Sequence, residues 1–312
     1  MKFEVTILGC GAALPTMRHN PTAQVVNIHD KHFLVDCGEG TQMQLRRYKV
    51  KMQRLHHVFI SHLHGDHFFG FNGLISTMHL LGRTKPLHVH APEGLKLLFE
   101  AQQAIGEMHL DFQLIFHVNR CESLRLLYDD NTLEVWGFPL EHRIQCTGFL
   151  FKEKRRKANI SRHAIKEHQL TVSEILALKN GNDVCRTDGT ILKAEELTEM
   201  APVGRSYAFC SDTRYSEKVI QAIEGVDLLY HEATFLEDMK LRALQTHHST
   251  AKDAATVALE AKVGALVLGH FSARYTDESP LLIEAMEVFP KVSLAKEGMV
   301  FVPRGEAFVP EL

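Results

Sequence analysis

The chain has 312 residues, with 35 lysines and arginines against 38 aspartates and glutamates, a formal net charge of −3 and 45% hydrophobic content. That composition is ordinary for a globular protein, and no apolar run reaches the roughly 18 residues a membrane helix needs, which excludes a membrane-spanning reading. Six cysteines, at 10, 37, 121, 146, 185 and 210, are scattered without a CxxC pair, and residues 1–6 read as a strand rather than a secretory signal, so a cytoplasmic location is expected.

Taken in chain order, Phe3, Val5 and Ile7 alternate with polar neighbours and predict a strand, followed by strands over 23–28 and 32–35 around a polar turn. The segment Asp36-Cys37-Gly38-Glu39-Gly40 is a tight turn before a helix predicted over 41–48. The apolar run 58–60 reads as a buried strand. Further strands over 87–90, 133–137, 207–210, 228–230 and 265–268 alternate with helical patterns over 93–105, 215–223, 251–263 and 279–288. Ser249 or Thr250 supplies the N-cap of the third of these helices. Alternating strands and helices, with polar clusters where buried strands end, point to a layered α/β domain whose site lies on loops at one sheet edge.

One stretch differs. Residues 152–168 hold seven basic side chains against two acidic ones, a net +5 that leaves −8 for the rest of the chain, and no proline falls between Pro139 and Pro202. This predicts an inserted basic arm over 150–200, with a short helix at 171–179, projecting from a main domain made of 1–149 and 201–312.

Histidine is over-represented, at 20 residues. The densest group is Ser61-His62-Leu63-His64-Gly65-Asp66-His67, directly after a predicted strand. Gly65 permits a tight turn, so His62, His64, Asp66 and His67 can converge; nitrogen and oxygen donors without thiolate suit a catalytic zinc or a similar metal. His142, Asp212 and His270 each stand where a later strand runs out, as His62 does, and complete a candidate ligand set. Asp36 either orients a ligand histidine by a hydrogen bond or simply ends a strand. Neither a GxGxxG frame nor a Walker lysine is present, so a phosphate-binding P-loop is not expected.

With these residues in hand, the chain resembles the metallo-β-lactamase superfamily and, within it, the ribonuclease Z family of tRNA 3′-processing endonucleases. The resemblance rests on Gly9-Cys10-Gly11-Ala12-Ala13, the 34–41 turn, Ser61 to His67, Leu140-Glu141-His142 and Ser211-Asp212-Thr213. It continues through His231-Glu232-Ala233-Thr234, His248-Ser249-Thr250 and Gly269-His270-Phe271-Ser272. It implies an αβ/βα sandwich with two zinc ions per subunit: one held by His62, His64 and His142, the other by Asp66, His67 and His270, with Asp212 bridging. It implies an endoribonuclease that removes the 3′ trailer from precursor tRNA, leaving a 3′-hydroxyl on the tRNA and a 5′-phosphate on the trailer. It also implies a homodimer in which the arm of one subunit grips the tRNA bound at the other; Lys154, Arg155, Arg156 and Lys157 are the candidate RNA contacts.

Asp66 is the family's general base. His248, supported by Glu232, is the candidate general acid, because a carboxylate beside an imidazole keeps it protonated. Two features depart from the family pattern: the loop Pro15-Thr16-Met17-Arg18-His19-Asn20 lacks a lysine, and Asn180-Gly181-Asn182 replaces a Gly-Pro pair in the arm. The alternative reading is a small-molecule phosphodiesterase or other hydrolase of the same superfamily, which accounts for the ligands but not for the arm.

Overall fold

The computed structural model describes residues 2–155, 157–199, 201 and 203–310. The chain divides into two compact units, one drawn from 1–129, 134–152 and 205–312, the other from 130–133 and 153–204. Among the described residues the larger unit is built on two seven-stranded sheets. The first runs in the order Val300–Phe301, Phe3–Gly9, Ala23–Ile28, Lys31–Val35, Leu55–Phe59, Leu87–Ala91 and Leu114–Val118, and its last four strands are parallel. The second runs Val292–Leu294, Leu266–Gly269, Leu228–Glu232, Ser206–Cys210, Cys146–Glu153, Leu133–Leu140 and Arg125–Asp129, and its first four are parallel.

Period-two patterning assigns the faces. Phe33 and Phe59 turn toward the second sheet and meet Phe149 and Phe151, with ring centroids 5.3 Å apart for Phe59 and Phe149 and 5.7 Å for Phe33 and Phe151. Their neighbours Leu34, Val58 and Ile60 enter the opposite layer, where helices Thr41–Arg47, Phe71–Leu80 and Gly94–Ile105 insert Leu45, Phe71, Leu74, Ile75, Met78, Leu95 and Phe99. Helices Glu217–Ala222, Ala251–Glu260 and Ser279–Met286 accompany the parallel half of the second sheet; Ala251–Glu260 packs on its strands and on Ser279–Met286. The architecture is a four-layer αβ/βα sandwich. No helix among the described residues is long and apolar enough to cross a membrane.

The ladder between Cys146–Glu153 and Ser206–Cys210 pairs Phe149 with Phe209 and Lys152 with Ser206, which carries the larger unit as far as Lys152. The smaller unit has its own apolar cluster, Leu170, Leu178, Leu192 and Ala194, with Ile165, Ile175 and Leu197 packed against it. Ser161 caps helix Arg162–Glu167, and Thr171 with Glu174 forms a capping box on helix Val172–Lys179. Arg186 Nε donates to Glu174 Oε1 at 2.6 Å, tying that helix to the hairpin of Val184–Cys185 and Ile191–Leu192.

Candidate metal and catalytic centre

Six strands end at this centre. Lys31–Val35 delivers Asp36; Leu55–Phe59 delivers the 61–67 loop; Leu133–Leu140 delivers His142; Ser206–Cys210 delivers Asp212; Leu228–Glu232 ends in Glu232; Leu266–Gly269 delivers His270. Cys210 pairs with His231 and Glu232 with Gly269, a register that brings Asp212, Glu232 and His270 out at one level. Asp36 and His270, each the first residue beyond its strand, adopt left-handed φ values of 55° and 58°. Such backbone costs about 1–3 kcal/mol and persists where surrounding contacts over-determine it. A Cβ on Gly70 would collide with the Gly38 carbonyl, so this glycine lets the helix after the histidine loop close against the 36–40 turn.

All seven candidate ligands converge. His62, His64, His142 and Asp212 form one group, and Asp66, His67 and His270 another, with the donor atoms of each group within 4.8 Å of one another. Asp212 faces both: its Oδ2 lies 3.5 Å from His62 Nε2 and 3.7 Å from His142 Nε2, and its Oδ1 lies 3.2 Å from both His67 Nε2 and His270 Nε2. Asp66 Oδ2 is 3.3 Å from His67 Nε2 and accepts a 2.7 Å hydrogen bond from the Ala13 amide.

Hydrogen bonds behind the imidazoles decide their tautomers. Asp36 accepts from Ser61 N at 2.7 Å, from Ser61 Oγ at 2.9 Å and from His67 Nδ1 at 2.8 Å. Because the Ser61 hydroxyl donates to Asp36, its oxygen accepts from His62 Nδ1 at 3.0 Å. Thr234 repeats the arrangement, donating to Glu232 Oε2 at 2.6 Å and accepting from His270 Nδ1 at 2.9 Å. His142 Nδ1 donates to the His247 carbonyl at 3.0 Å. Each of these four rings therefore carries a proton on Nδ1 and turns its Nε2 inward.

Two observations test whether this set fits metal. His67 Nε2 is buried without a hydrogen-bond partner. His64 Nδ1 lies 3.0 Å from His62 Nε2 and 3.2 Å from His142 Nε2, and one proton on His64 can serve only one of those lone pairs. Converging lone pairs, a shared carboxylate and no thiolate form a donor set that fits a pair of borderline cations.

Electrostatics divide the imidazoles into two groups. Burial pushes His142 down to about 4 and lowers His62 well below the ordinary histidine value, keeping both neutral. Burial works to raise Asp212 and Asp66, but His270 and His67 around the first, and His67 and His270 around the second, hold both well below the usual carboxylate range. His67 and His248 go the other way. Burial lowers His67, yet the Asp212, Asp66 and Asp36 carboxylates around it hold it well above the ordinary histidine value. Burial lowers His248, yet the Glu232 carboxylate, 2.8 Å from its Nδ1, raises it to about 9. Its Nδ1 is 4.0 Å from Asp212 Oδ2. The cluster opens into a cavity of about 310 Å³ lined by His64, Asp66, Asp212, His248 and His270 together with Arg143, Arg242 and Arg274.

The chain is 50% identical over 298 residues to the ribonuclease Z of Bacteroides thetaiotaomicron, covering 96% of this chain and 94% of that protein. The chain belongs to the ribonuclease Z family. It is accordingly a hydrolase of the nuclease class. The crystal structure of the short form of human tRNase Z superposes with a TM-score of 0.70 at 28% identity, covering 96% of this chain and 99% of the other. The metallo-β-lactamase fold protein YhfI of Bacillus subtilis superposes at 0.68 with 20% identity, covering 96% and 98%, and shares the fold. A family model described as anti-Pycsar protein Apyc1 matches residues 3–156.

Within this ribonuclease Z centre, the structure resolves the two alternatives for Asp36 in favour of a carboxylate that orients His67. Thr234, Ala13 and the His247 carbonyl were not singled out by sequence. Thr234 carried a signal, its place in His231-Glu232-Ala233-Thr234, whereas Ala13 and His247 act through backbone atoms that no side-chain pattern reveals. Among the arm candidates, Arg155 and Lys157 are exposed and Lys154 is half-buried; Arg156 lies outside the described residues.

Proposed function

We propose that this chain is a zinc-dependent endoribonuclease that removes the 3′ trailer from tRNA precursors, leaving a 3′-hydroxyl on the tRNA and a 5′-phosphate on the trailer. The observation that carries the reading is the convergence of six nitrogen and oxygen donor residues around Asp212, with the buried Glu232–His248 pair at their edge. The names of the relatives, ribonuclease Z and tRNase Z, support the substrate class.

His62, His64 and His142 would hold one zinc and Asp66, His67 and His270 a second, with Asp212 shared. Bound zinc acidifies water and neutralises charge building on phosphorus. The remaining steps fall to the chain. Asp66, steadied by the Ala13 amide, takes the proton of the attacking water. His248, protonated against Glu232, gives its proton to the departing 3′ oxygen of the tRNA, which becomes the hydroxyl, while the water's oxygen stays on the trailer's 5′-phosphate.

In this reading 1–149 with 201–312 is the catalytic domain and 150–200 the RNA-binding arm, where Lys154, Arg155, Arg156 and Lys157 displace counterions from the phosphate backbone. Two copies act as a homodimer, a reading supported by the exposed apolar side chains Phe69, Leu80, Leu97 and Ile105 around two helices that meet through Phe71 and Phe99. Six cysteines outside any disulfide support a cytoplasmic location.

Mapping the cut on a 3′-extended, end-labelled pre-tRNA tests the proposal. A single cut leaving a 3′-hydroxyl is expected, abolished by chelator and by Asp212→Ala, which should also lose bound zinc on elemental analysis. Hydrolysis of bis(p-nitrophenyl) phosphate with the RNA left intact would reassign the site to small diesters.

A further inference from the structure

The catalytic cavity is lined by three arginines, none of them part of the proton relay, and two stand without an internal partner. Arg143 follows His142 on the loop beyond Leu133–Leu140, and Arg242 lies on helix Lys240–Thr246, whose last residue bonds back to the Arg242 carbonyl at 2.8 Å. Both side chains are exposed and line the cavity shared by His64 and His248. Among the described residues neither makes an ion pair or a side-chain hydrogen bond. Their neighbours behave differently. Arg274 donates to Ser272 Oγ at 3.1 Å and lies over the Phe235 ring, and Arg214 is held by Glu141 at 3.0 Å. The cavity carboxylates Asp66 and Asp212 do not engage the two arginines, because they face imidazoles, a hydroxyl and a backbone amide, and Glu232 is buried behind them. Two guanidinium forks thus face solvent at the mouth without an internal acceptor.

Cavity size says what they await. At about 310 Å³ the space is at the lower end of ligand sites, roughly 300–1,000 Å³, and small against a continuous RNA strand. A strand whose reacting linkage enters it passes the exposed arginines of the lining with its adjoining phosphates. A planar guanidinium matches paired phosphate oxygens better than any other side chain. We propose that Arg143 and Arg242 each grip one of the two phosphates adjoining the cleaved one, and so set the register in which the strand enters the cavity. This rests on reading the cavity as the RNA-cleaving site.

The test pairs each arginine with a chemical change in the RNA. Wild type, Arg143→Ala and Arg242→Ala are assayed on a 3′-extended pre-tRNA whose phosphate before or after the cut is replaced by an uncharged methylphosphonate. On the all-phosphate RNA each variant should lose about 10- to 100-fold in kcat/KM, the effect of removing one charge-assisted hydrogen bond. On RNA neutralised at its own phosphate, each variant should lose no more than about twofold, and Arg→Lys should recover part of the activity on the intact RNA. Equal losses on intact and neutralised substrates would overturn the assignment of the two arginines while leaving the ribonuclease reading in place. If wild type leaves intact pre-tRNA uncut, the ribonuclease reading itself falls, and this proposal with it.

Discussion

Thr234 shows how much of this centre is decided one hydrogen bond at a time. Its hydroxyl proton goes to Glu232, so its oxygen must accept from His270, and the His270 lone pair is aimed inward as a result. Asp36 and Ser61 do the same for His67 and His62. Glu232 is the branching point, since its other oxygen accepts from the Thr213 amide and from His248. A pH dependence follows. His248 can donate only while protonated, and burial, which lowers its pKa, is outweighed by Glu232, which raises it to about 9. Activity should therefore persist through neutrality and fall as pH rises through about 9. Glu232→Gln removes the compensating charge, so the alkaline limb should move toward the ordinary histidine value of about 6.5 or below. Single-turnover cleavage rates across pH measure the displacement; an unmoved limb would remove His248 from the role of acid.

Among the elements, strand ends carry most of the chemistry because parallel strands release their next residues on one side of a sheet. Sequence patterning finds those strands well where they are short apolar runs before polar clusters. It passes over Cys146–Glu153, whose first six residues are all buried and so lack alternation, and over Phe71–Leu80, although Phe71, Leu74, Ile75 and Met78 keep a helical spacing. Lys240–Thr246 escapes for a different reason: it buries only Ala243, too little for an apolar stripe. Between Ser249 and Thr250 as the cap of Ala251–Glu260, the structure selects Thr250, which forms a capping box with Asp253, while Ser249 Oγ donates to the Thr213 carbonyl at 2.7 Å. Thr250→Ala should cost about 1 kcal/mol of stability and Thr250→Ser much less, as read from denaturant unfolding. Equal stability of all three proteins would show that the cap contributes nothing.

At the scale of the whole molecule, charge is divided. Seven basic side chains against two acidic ones fall within 152–168, and the rest of the chain is acidic overall. The smaller unit that contains most of this segment has its own small apolar cluster and two capped helices, the first of which carries Arg162 and Lys166, whereas Lys154, Arg155 and Lys157 lie outside any helix or strand. Replacing Lys154, Arg155, Arg156 and Lys157 together by alanine should weaken pre-tRNA binding. The slope of log affinity against log salt should fall by about 0.7–0.9 for each phosphate that the arm no longer neutralises. Filter binding over a salt series gives both quantities, and an unchanged affinity and slope would count against the arm as an RNA grip.

Sequence alone determined which side chains are available and where along the chain they stand: His62, His64, Asp66 and His67 in one loop, and His142, Asp212, Glu232 and His270 at the ends of separate strands. These are local properties, set by hydrophobic period and by Gly65 in a tight turn. Tertiary structure decided what spacing along the chain cannot carry, because pairing register and sheet stacking bring together residues more than 200 positions apart, such as Asp66 and His270. It decided which nitrogen of most of these imidazoles faces inward, since the groups that bind Nδ1 of His67, His270 and His142 are the Asp36 carboxylate, the Thr234 hydroxyl and the His247 carbonyl, all from other strands and turns. It also decided that Arg143 and Arg242 share one cavity with His248, a neighbourhood set by the order in which Leu133–Leu140 and Leu228–Glu232 stand in one sheet.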